Sequence, residues 1–357
     1  MLNRERVFRT LTTLDIFMDR ALKLRPKSPE LSGFHYNREM LRAAMANTYL
    51  ETVGSRADSI QMAVKSAPMS DIYWEYLKTV KVLRKRTSFA EHDAVLAFDT
   101  TDEDFYGHPE TMWIHNWTGE DAVIGKFRFL TCSLVSHDVP EKVPLFSIPV
   151  QIGHSNARDM TFMLAMVKPL FKSISLCLFD RGYHSSEMFL TLSNAHIPYL
   201  IFLRKDRYVK ELLGPMKSGD MRTVDHEFKL NRDKTVIRGE TTVALLRQIF
   251  RRGEYNDWCF ATNRREIDLE NIVSTYTQRW NIETGFRIQD EATIKSKSKD
   301  VRIRFFLFAY EQILQLLWAV LFKEEVSFKE FLIQLSDTCS ERLSRAEMKA
   351  LNSGSRQ

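Results

Sequence analysis

The feature that most constrains the fold is a change of pattern after residue 90, where short apolar runs replace helical periodicity. Three runs of strand length come first, and two more then alternate with amphipathic stretches of helical spacing. Strands followed by alternating helix and strand are typical of a mixed sheet with helices on its faces, so we predict an α/β fold. The predicted strands are residues 94–98, 127–136, 145–150, 174–179 and 199–203, with helices at about 159–171 and 186–195.

The segments on either side of this core have different patterns. Residues 1–90 carry apolar side chains at spacings of three and four, which predicts a helical domain. Strand-like stretches return after residue 205, and helical periodicity resumes at about 267–290, 305–322 and 327–336. We therefore expect a helical N-terminal domain at 1–90, a first part of the core at 91–205, a β-rich insertion at 206–265, a second part of the core at 266–340 and a tail at 341–357.

Charge is distributed unevenly along the chain. The formal net charge is +5, from 51 Lys and Arg against 46 Asp and Glu. Residues 1–90 alone hold 16 basic and 9 acidic side chains, a net of +7, so the rest of the chain has a net of −2. The basic segment closes with Arg84, Lys85 and Arg86. This asymmetry predicts an anion-binding segment attached to a body with another task.

Several classes of protein are disfavoured by composition. The four cysteines are 45, 82 and 80 residues apart and form no CxxC pair, so a structural zinc site or a disulfide framework is not expected. The first ten residues are charged and lack the apolar core of a signal peptide. The most apolar stretch, 305–322, contains Glu311, Gln312 and Gln315 and predicts a buried helix rather than a membrane span. We expect a soluble, cytoplasmic protein with no membrane partner.

Three carboxylates stand at positions that favour catalysis. Asp99 follows the first predicted strand, Asp180 follows the fourth, and Glu283 lies inside the predicted helix 267–290. Open α/β sheets bind ligands at the carboxyl ends of their strands, and an all-oxygen donor set suits Mg²⁺ or Mn²⁺. The structural alternative for each Asp is a turn residue or a helix cap. Three more acids follow closely at residues 102–104, so position alone does not show which acid is the first metal ligand.

The helix around Glu283 carries two more candidates. Tyr276, Arg279 and Glu283 are spaced i, i+3 and i+7, which places them on one helical face. A phenol, a guanidinium and a carboxylate on one stripe suit a phosphate beside a metal ion. The alternative is a solvated stripe with an Arg279–Glu283 ion pair.

This spacing resembles the YREK signature of DDE transposases of prokaryotic insertion sequences, which have a ribonuclease-H-like catalytic domain. FDTTDEDFYG at 98–107 resembles the block of the first Asp, and FDRGYHS at 179–185 resembles the block of the second. The order of the blocks and the β-rich insertion before the Glu helix also match, so the resemblance spans about residues 94–322. One departure is that Asp290 stands where the signature has its Lys.

The resemblance implies a function and roles for these residues. Asp99, Asp180 and Glu283 would be the catalytic triad and hold two Mg²⁺ or Mn²⁺ ions, while Tyr276 and Arg279 would contact the phosphate beside the scissile bond. The reaction would cut transposon ends and join the 3′-OH to target DNA. The partners would be double-stranded DNA, as terminal inverted repeats and target, and a second copy of the chain, so that a homodimer forms on DNA at the nucleoid.

Further residues are candidates for contact with DNA. Lys295, Lys297 and Lys299, followed by Arg302 and Arg304, predict a track along the DNA backbone or else a solvated loop. Trp258 and Trp280 are candidates for stacking on an unpaired base, with core packing as the alternative. Two other functions remain open at this stage: a non-catalytic DNA-binding descendant that acts as a repressor or inhibitor, and a cellular ribonuclease-H-like nuclease.

Overall fold

The computed structural model describes residues 2–24, 32–85, 93–108, 111–118, 122–136, 143–232, 235–249 and 254–354. One mixed sheet of nine strands organises this part of the chain, in the order β2-β3-β1-β5-β6-β9-β8-β7, with β4 also paired to β3. The strands are β1 Ala94–Phe105, β2 Ile114–Asn116, β3 Gly125–Leu134, β4 Val143–Pro149, β5 Ile174–Phe179, β6 Tyr199–Phe202, β7 Met221–Arg232, β8 Thr235–Ile249 and β9 Tyr255–Thr262.

Helices flank the sheet, which confirms the predicted α/β class. They are α1 Arg4–Ala21, α2 Gly33–Ala46, α3 Leu50–Val53, α4 Ala57–Ser66, α5 Met69–Arg84, α6 Asn156–Val167, α7 Ser186–Asn194, α8 Arg207–Leu213, α9 Ile272–Thr277, α10 Trp280–Gln289, α11 Val301–Leu321 and α12 Phe328–Gly354. Among the described residues, α11 is the one helix long and apolar enough to cross a membrane, and 94% of its apolar window is buried. It is the core helix that its polar residues predicted.

The central strands supply two apolar clusters, one on each face of the sheet. Side chains of a strand alternate between faces, so Leu96 and Phe98 enter the larger cluster while Ala97 enters the smaller. The larger cluster also includes residues of α1, α2, α5, α11 and α12, so the N-terminal helices share a core with the sheet. The smaller cluster is covered by α9 and α10, through Ile272, Tyr276 and Ile282.

The strands differ from prediction in two respects. β1 does not end at Phe98 but continues through Asp99 to Phe105, because residues 99–105 pair with β3 in an antiparallel register. The segment predicted as an insertion forms β7, β8 and β9, and β9 pairs with β6, so these strands extend the central sheet. Both pairings join residues far apart in sequence, which local patterns do not specify.

Two helical predictions also change. The predicted helix at 267–290 is divided into α9 and α10 by a tight turn, in which the Arg279 N–H donates to Tyr276 O at 2.9 Å and the Ile282 N–H donates to Arg279 O at 3.0 Å. The helix predicted at 327–336 is longer, since α12 continues to Gly354. Helix formers continue beyond residue 336 in the sequence, and they account for the added length.

Candidate active site

Register brings two of the three predicted carboxylates to one edge of the sheet. β1 and β5 are parallel neighbours with Phe98 beside Phe179, whose rings stack with centroids 4.9 Å apart. Asp99 and Asp180 are the next residues on each strand, and parallel pairing of β1 with β5 stops there. Because side chains alternate along a strand, Asp99 lies on the same face of the sheet as Ala97. That face is covered by α9 and α10.

Arg279 connects Asp99 to the third carboxylate. The Arg279 side chain, at the start of α10, donates from Nη1 to Asp99 Oδ2 at 2.7 Å and from Nη2 to Glu283 Oε1 at 2.6 Å. Arg279 is only 7% exposed, whereas the side chain of Glu283 is 43% exposed. The predicted alternative of an Arg279–Glu283 ion pair is therefore present, but its arginine is buried and shared with Asp99.

Asp180 has a local structural role as well. Its side chain begins a one-turn helix at Arg181–Tyr183 and accepts the Gly182 N–H at Oδ1, at 2.8 Å. A helix cap was the structural alternative for this residue, and the cap is present. It fixes one carboxylate oxygen and leaves Oδ2 without a hydrogen bond among those described, so capping and metal ligation are compatible.

The electrostatics of Asp99 show that the three carboxylates act on one another. Burial raises the pKa of Asp99, and the negative charges of Asp180 and Glu283 add to the rise, while Arg279 and the Thr100 N–H oppose it. Clustered carboxylates repel unless a cation lies among them. In this structure the Arg279 guanidinium supplies that charge.

The residues fit a divalent cation by their chemistry but do not form a finished coordination sphere. Within the described ranges, no three His, Cys, Asp or Glu side chains stand close enough together to hold a metal ion as they are. Arg279 occupies oxygens of two of the three candidates. The donors themselves are carboxylate oxygens, the ligands that Mg²⁺ and Mn²⁺ prefer.

The acids that follow Asp99 on β1 each have a basic neighbour. Asp102 pairs with Arg128, and Asp104 pairs with Lys126 at 3.5 Å. Glu103 lies 3.6 Å from Arg304, measured from Oε2 to Nη1. These pairings distinguish the four acids better than sequence position does, because Asp99 alone shares its partner with Glu283.

Comparison with known proteins gives a family match for part of the chain. Residues 145–321, from β4 to the end of α11, match the family model described as "Transposase DDE domain". Residues 145–321 therefore form a transposase DDE domain. The match includes Asp180 and Glu283, whereas Asp99 precedes it.

The fold is also that of a solved transposase. The piggyBac transposase in its synaptic complex with hairpin DNA superposes with a TM-score of 0.59 at 11% sequence identity, over 96% of this chain and 82% of that one. This likeness supports a ribonuclease-H-like fold for the chain. No curated protein matches the chain by sequence.

The aromatic candidates differ from one another in burial. Tyr276 is 3% exposed, packs against Phe202 and Phe260, and has a pKa raised to about 12 by burial. Trp258 is half-buried in the same cluster, as the core-packing alternative predicted. Trp280, at the first position of α10, is 51% exposed and remains a candidate for contact with a base.

Three buried polar atoms in this neighbourhood have no hydrogen-bond partner within the described part of the protein. They are Trp258 Nε1, Gln278 Oε1 and Arg279 Nε. Buried polar groups are nearly always satisfied, and leaving one unmade costs about 1–3 kcal/mol. Gln278 and Arg279 belong to the turn between α9 and α10, and Trp258 packs beside that turn against Tyr276.

The predicted basic track is shorter than its sequence indicated. Lys295, Lys297 and Lys299 are exposed on the segment between α10 and α11. In contrast, Arg302 forms an ion pair with Asp300 at 2.7 Å, and Arg304 is buried beside Glu103. Of the N-terminal cluster, Lys85 is exposed and Arg84 is half-buried, while Arg86 lies outside the described residues.

Sequence reasoning missed a cavity beside α10. It has a volume of about 650 Å³, and its lining includes Glu103, Phe286, Gln289, Arg304 and Glu311. Glu311 is buried, accepts the Ile294 N–H at 2.6 Å and the Gln289 amide at 3.0 Å, and has a pKa raised well above its ordinary value by burial. A Glu within the apolar helix at 305–322 was the available signal, since an acid there needs a polar environment.

Proposed function

We propose that this protein is a DNA transposase that cuts the ends of its element and joins the resulting 3′-OH to target DNA. The observation that carries the proposal is the meeting of Asp99 and Asp180 at one sheet edge, with Glu283 tied to Asp99 through Arg279. The match of residues 145–321 to the transposase DDE domain supports it.

The three carboxylates would hold two Mg²⁺ or Mn²⁺ ions, with Asp99 as the shared ligand. Bound ions of this kind supply charge neutralisation at the attacking and leaving oxygens of a phosphoryl transfer. The chain's own residues would hold the ions and position the phosphate. Asp99 and Asp180 are fixed by adjacent strands, and Arg279 presents a planar guanidinium suited to phosphate oxygens. Tyr276 would support Arg279, whose guanidinium carbon lies 5.9 Å from the tyrosine ring centre.

The DNA partners would be terminal inverted repeats and a target duplex. The basic excess of residues 1–90, with Arg84, Lys85 and Arg86, suits a domain that binds the ends through phosphates. Lys295, Lys297 and Lys299 follow the Glu283 helix and would continue the contact. Two ends must be held together, so we propose a homodimer on DNA, in the cytoplasm at the nucleoid. The solved relative is described as a synaptic complex with hairpin DNA.

The test uses a duplex that carries the DNA flanking the coding sequence on each side. Asp99→Asn, Asp180→Asn and Glu283→Gln are each expected to abolish Mg²⁺- or Mn²⁺-dependent cleavage of this duplex while anisotropy shows binding largely retained. Glu270→Gln, an exposed acid just before α9, is the matched control and should cleave normally.

Other outcomes would redirect the proposal. Cleavage at the wild-type rate by any of the three variants would remove that residue from the metal site. Binding of the flanking DNA without any metal-dependent cleavage would indicate a non-catalytic DNA-binding descendant. Products that stop at cleavage, with no joining to a target plasmid, would indicate a nuclease.

A further inference from the structure

Both oxygens of Asp99 accept hydrogen bonds. Oδ1 accepts the Thr100 N–H at 2.8 Å, and Oδ2 accepts Arg279 Nη1 at 2.7 Å. Glu283 Oε1 is taken by Arg279 Nη2 at 2.6 Å. A divalent cation that bound Asp99 and Glu283 through these oxygens would compete with a cation that the chain itself provides.

The guanidinium of Arg279 is not an ordinary surface charge. It is 7% exposed, and its Nε is buried without a hydrogen-bond partner among the described residues. Charge-assisted hydrogen bonds are stronger than neutral ones, so the two carboxylate contacts hold Arg279 in place. The unsatisfied Nε shows that the same guanidinium still has hydrogen-bonding capacity to offer another acceptor.

We propose that Arg279 is an internal counter-cation of the active site, which a divalent metal ion must displace from Asp99 and Glu283. The inference rests on the proposed function, because it takes these carboxylates as metal ligands. Displacement frees two N–H donors of Arg279 beside an Nε that is already unpaired. An incoming phosphate is an acceptor of matching geometry, so metal loading and phosphate binding become coupled.

A static role for Arg279 makes the opposite prediction. If the guanidinium only holds Asp99 and Glu283 in position for the ion, its removal disorders the ligands and weakens metal binding. If it competes, removal strengthens metal binding, since no charge-assisted hydrogen bond has to be broken. The sign of the change in metal affinity therefore separates the two roles.

The first experiment measures Mn²⁺ binding without DNA, by the electron paramagnetic resonance signal of free Mn²⁺. Arg279→Gln is expected to lower the Mn²⁺ dissociation constant about tenfold or more, the scale of one charge-assisted hydrogen bond. Arg279→Lys retains a charge but not the planar guanidinium. Its Mn²⁺ dissociation constant should lie between those of Arg279→Gln and the wild type. Arg287→Gln removes the same charge from an exposed position on α10 and should bind like the wild type. Equal or weaker binding by Arg279→Gln would overturn the proposal.

A second experiment uses the unaltered protein and does not depend on folding of a variant. Phenylglyoxal modifies accessible guanidinium groups, and mass spectrometry reports modification at each arginine. Addition of Mn²⁺ should increase modification of Arg279 several-fold and leave the exposed Arg287 unchanged. Unchanged protection of Arg279 at saturating Mn²⁺ would also overturn the proposal.

Asp99→Asn distinguishes a misplaced metal site from a metal site at which Arg279 does not compete. If Asp99→Asn binds Mn²⁺ as the wild type does, the metal site itself is misplaced and the proposed function fails with it. If Asp99→Asn loses binding while Arg279→Gln is unchanged, the metal site stands and only the competition is wrong.

Discussion

Asp102 and Arg128 form a two-pronged ion pair across β1 and β3. Arg128 donates from Nε to Oδ1 at 2.8 Å and from Nη2 to Oδ2 at 3.0 Å, between residues that are direct partners in the strand register. Both oxygens of Asp102 are therefore occupied by Arg128, which pairs with no other acid among the described residues. Strand alternation also directs Asp102 to the face opposite Asp99.

This pair predicts opposite consequences for two similar substitutions. Asp102→Asn should lower the free energy of unfolding by about 1 kcal/mol, since the pair is partly exposed, and should retain metal-dependent cleavage. Asp99→Asn should abolish cleavage. Because the substitution removes a buried carboxylate whose pKa is raised, it should not greatly reduce stability. Urea denaturation and cleavage of the flanking duplex measure the two effects, and loss of cleavage in Asp102→Asn would contradict the assignment.

Part of this site could be predicted from sequence because it depends on local rules. An apolar strand followed by Asp180 predicts a carboxylate at the edge of a sheet, and β5 has the predicted bounds. The closeness of Asp99 to Asp180 follows if their strands are parallel neighbours, as they are.

The rest depends on contacts between distant residues. The pairing of residues 99–105 with β3 places Arg128 beside Asp102 and Lys126 beside Asp104, and no pattern within the run DTTDED specifies that partner strand. The sharing of Arg279 between Asp99 and Glu283 spans 180 residues on one side and requires the tight turn that divides α9 from α10. Helical spacing alone predicted only the Arg279–Glu283 pair.

The two tryptophans near the site should respond differently to truncation. Trp258→Ala removes a half-buried ring that packs against Phe202, Phe260 and Tyr276, and should cost about 2–3 kcal/mol of stability. Trp280→Ala should change stability by less than about 0.5 kcal/mol. If Trp280 stacks on a base, its loss should weaken binding of the flanking duplex about tenfold. Trp117→Ala, which removes an exposed ring just after β2, is the control, and an unchanged affinity in Trp280→Ala would exclude the stacking role.

Gln312 joins the N-terminal helices to the sheet. Its buried Oε1 accepts the hydroxyls of Tyr76 on α5 and Ser147 on β4, and its Nε2 donates to Gln289 Oε1 at 3.3 Å. Gln312→Leu would leave several buried groups unpaired and should cost about 2–4 kcal/mol. Gln248→Leu, at an exposed position on β8, is the control.

This network also predicts how the wild-type protein unfolds. Because the N-terminal helices and the sheet share one apolar cluster, fluorescence and far-ultraviolet circular dichroism should give one coincident urea transition. Two separated transitions would show instead that residues 1–90 fold independently of the catalytic body.

The acid pair in the cavity beside α10 predicts how stability depends on pH. Burial raises the pKa of Glu103 from 4.5 to about 7, opposed by Arg304, and Glu103 in turn helps to raise the pKa of Glu311. The folded protein therefore keeps a proton that the unfolded chain has lost, so stability should fall as pH rises from about 4.5 to about 7. Glu103→Gln removes that titration and lessens the rise in the pKa of Glu311. The melting temperature of this variant should decline less between pH 5 and 7 than that of the wild type or of Glu270→Gln, whose exposed acid serves as the control. Equal slopes in all three proteins would show that Glu103 keeps its ordinary pKa in the folded state.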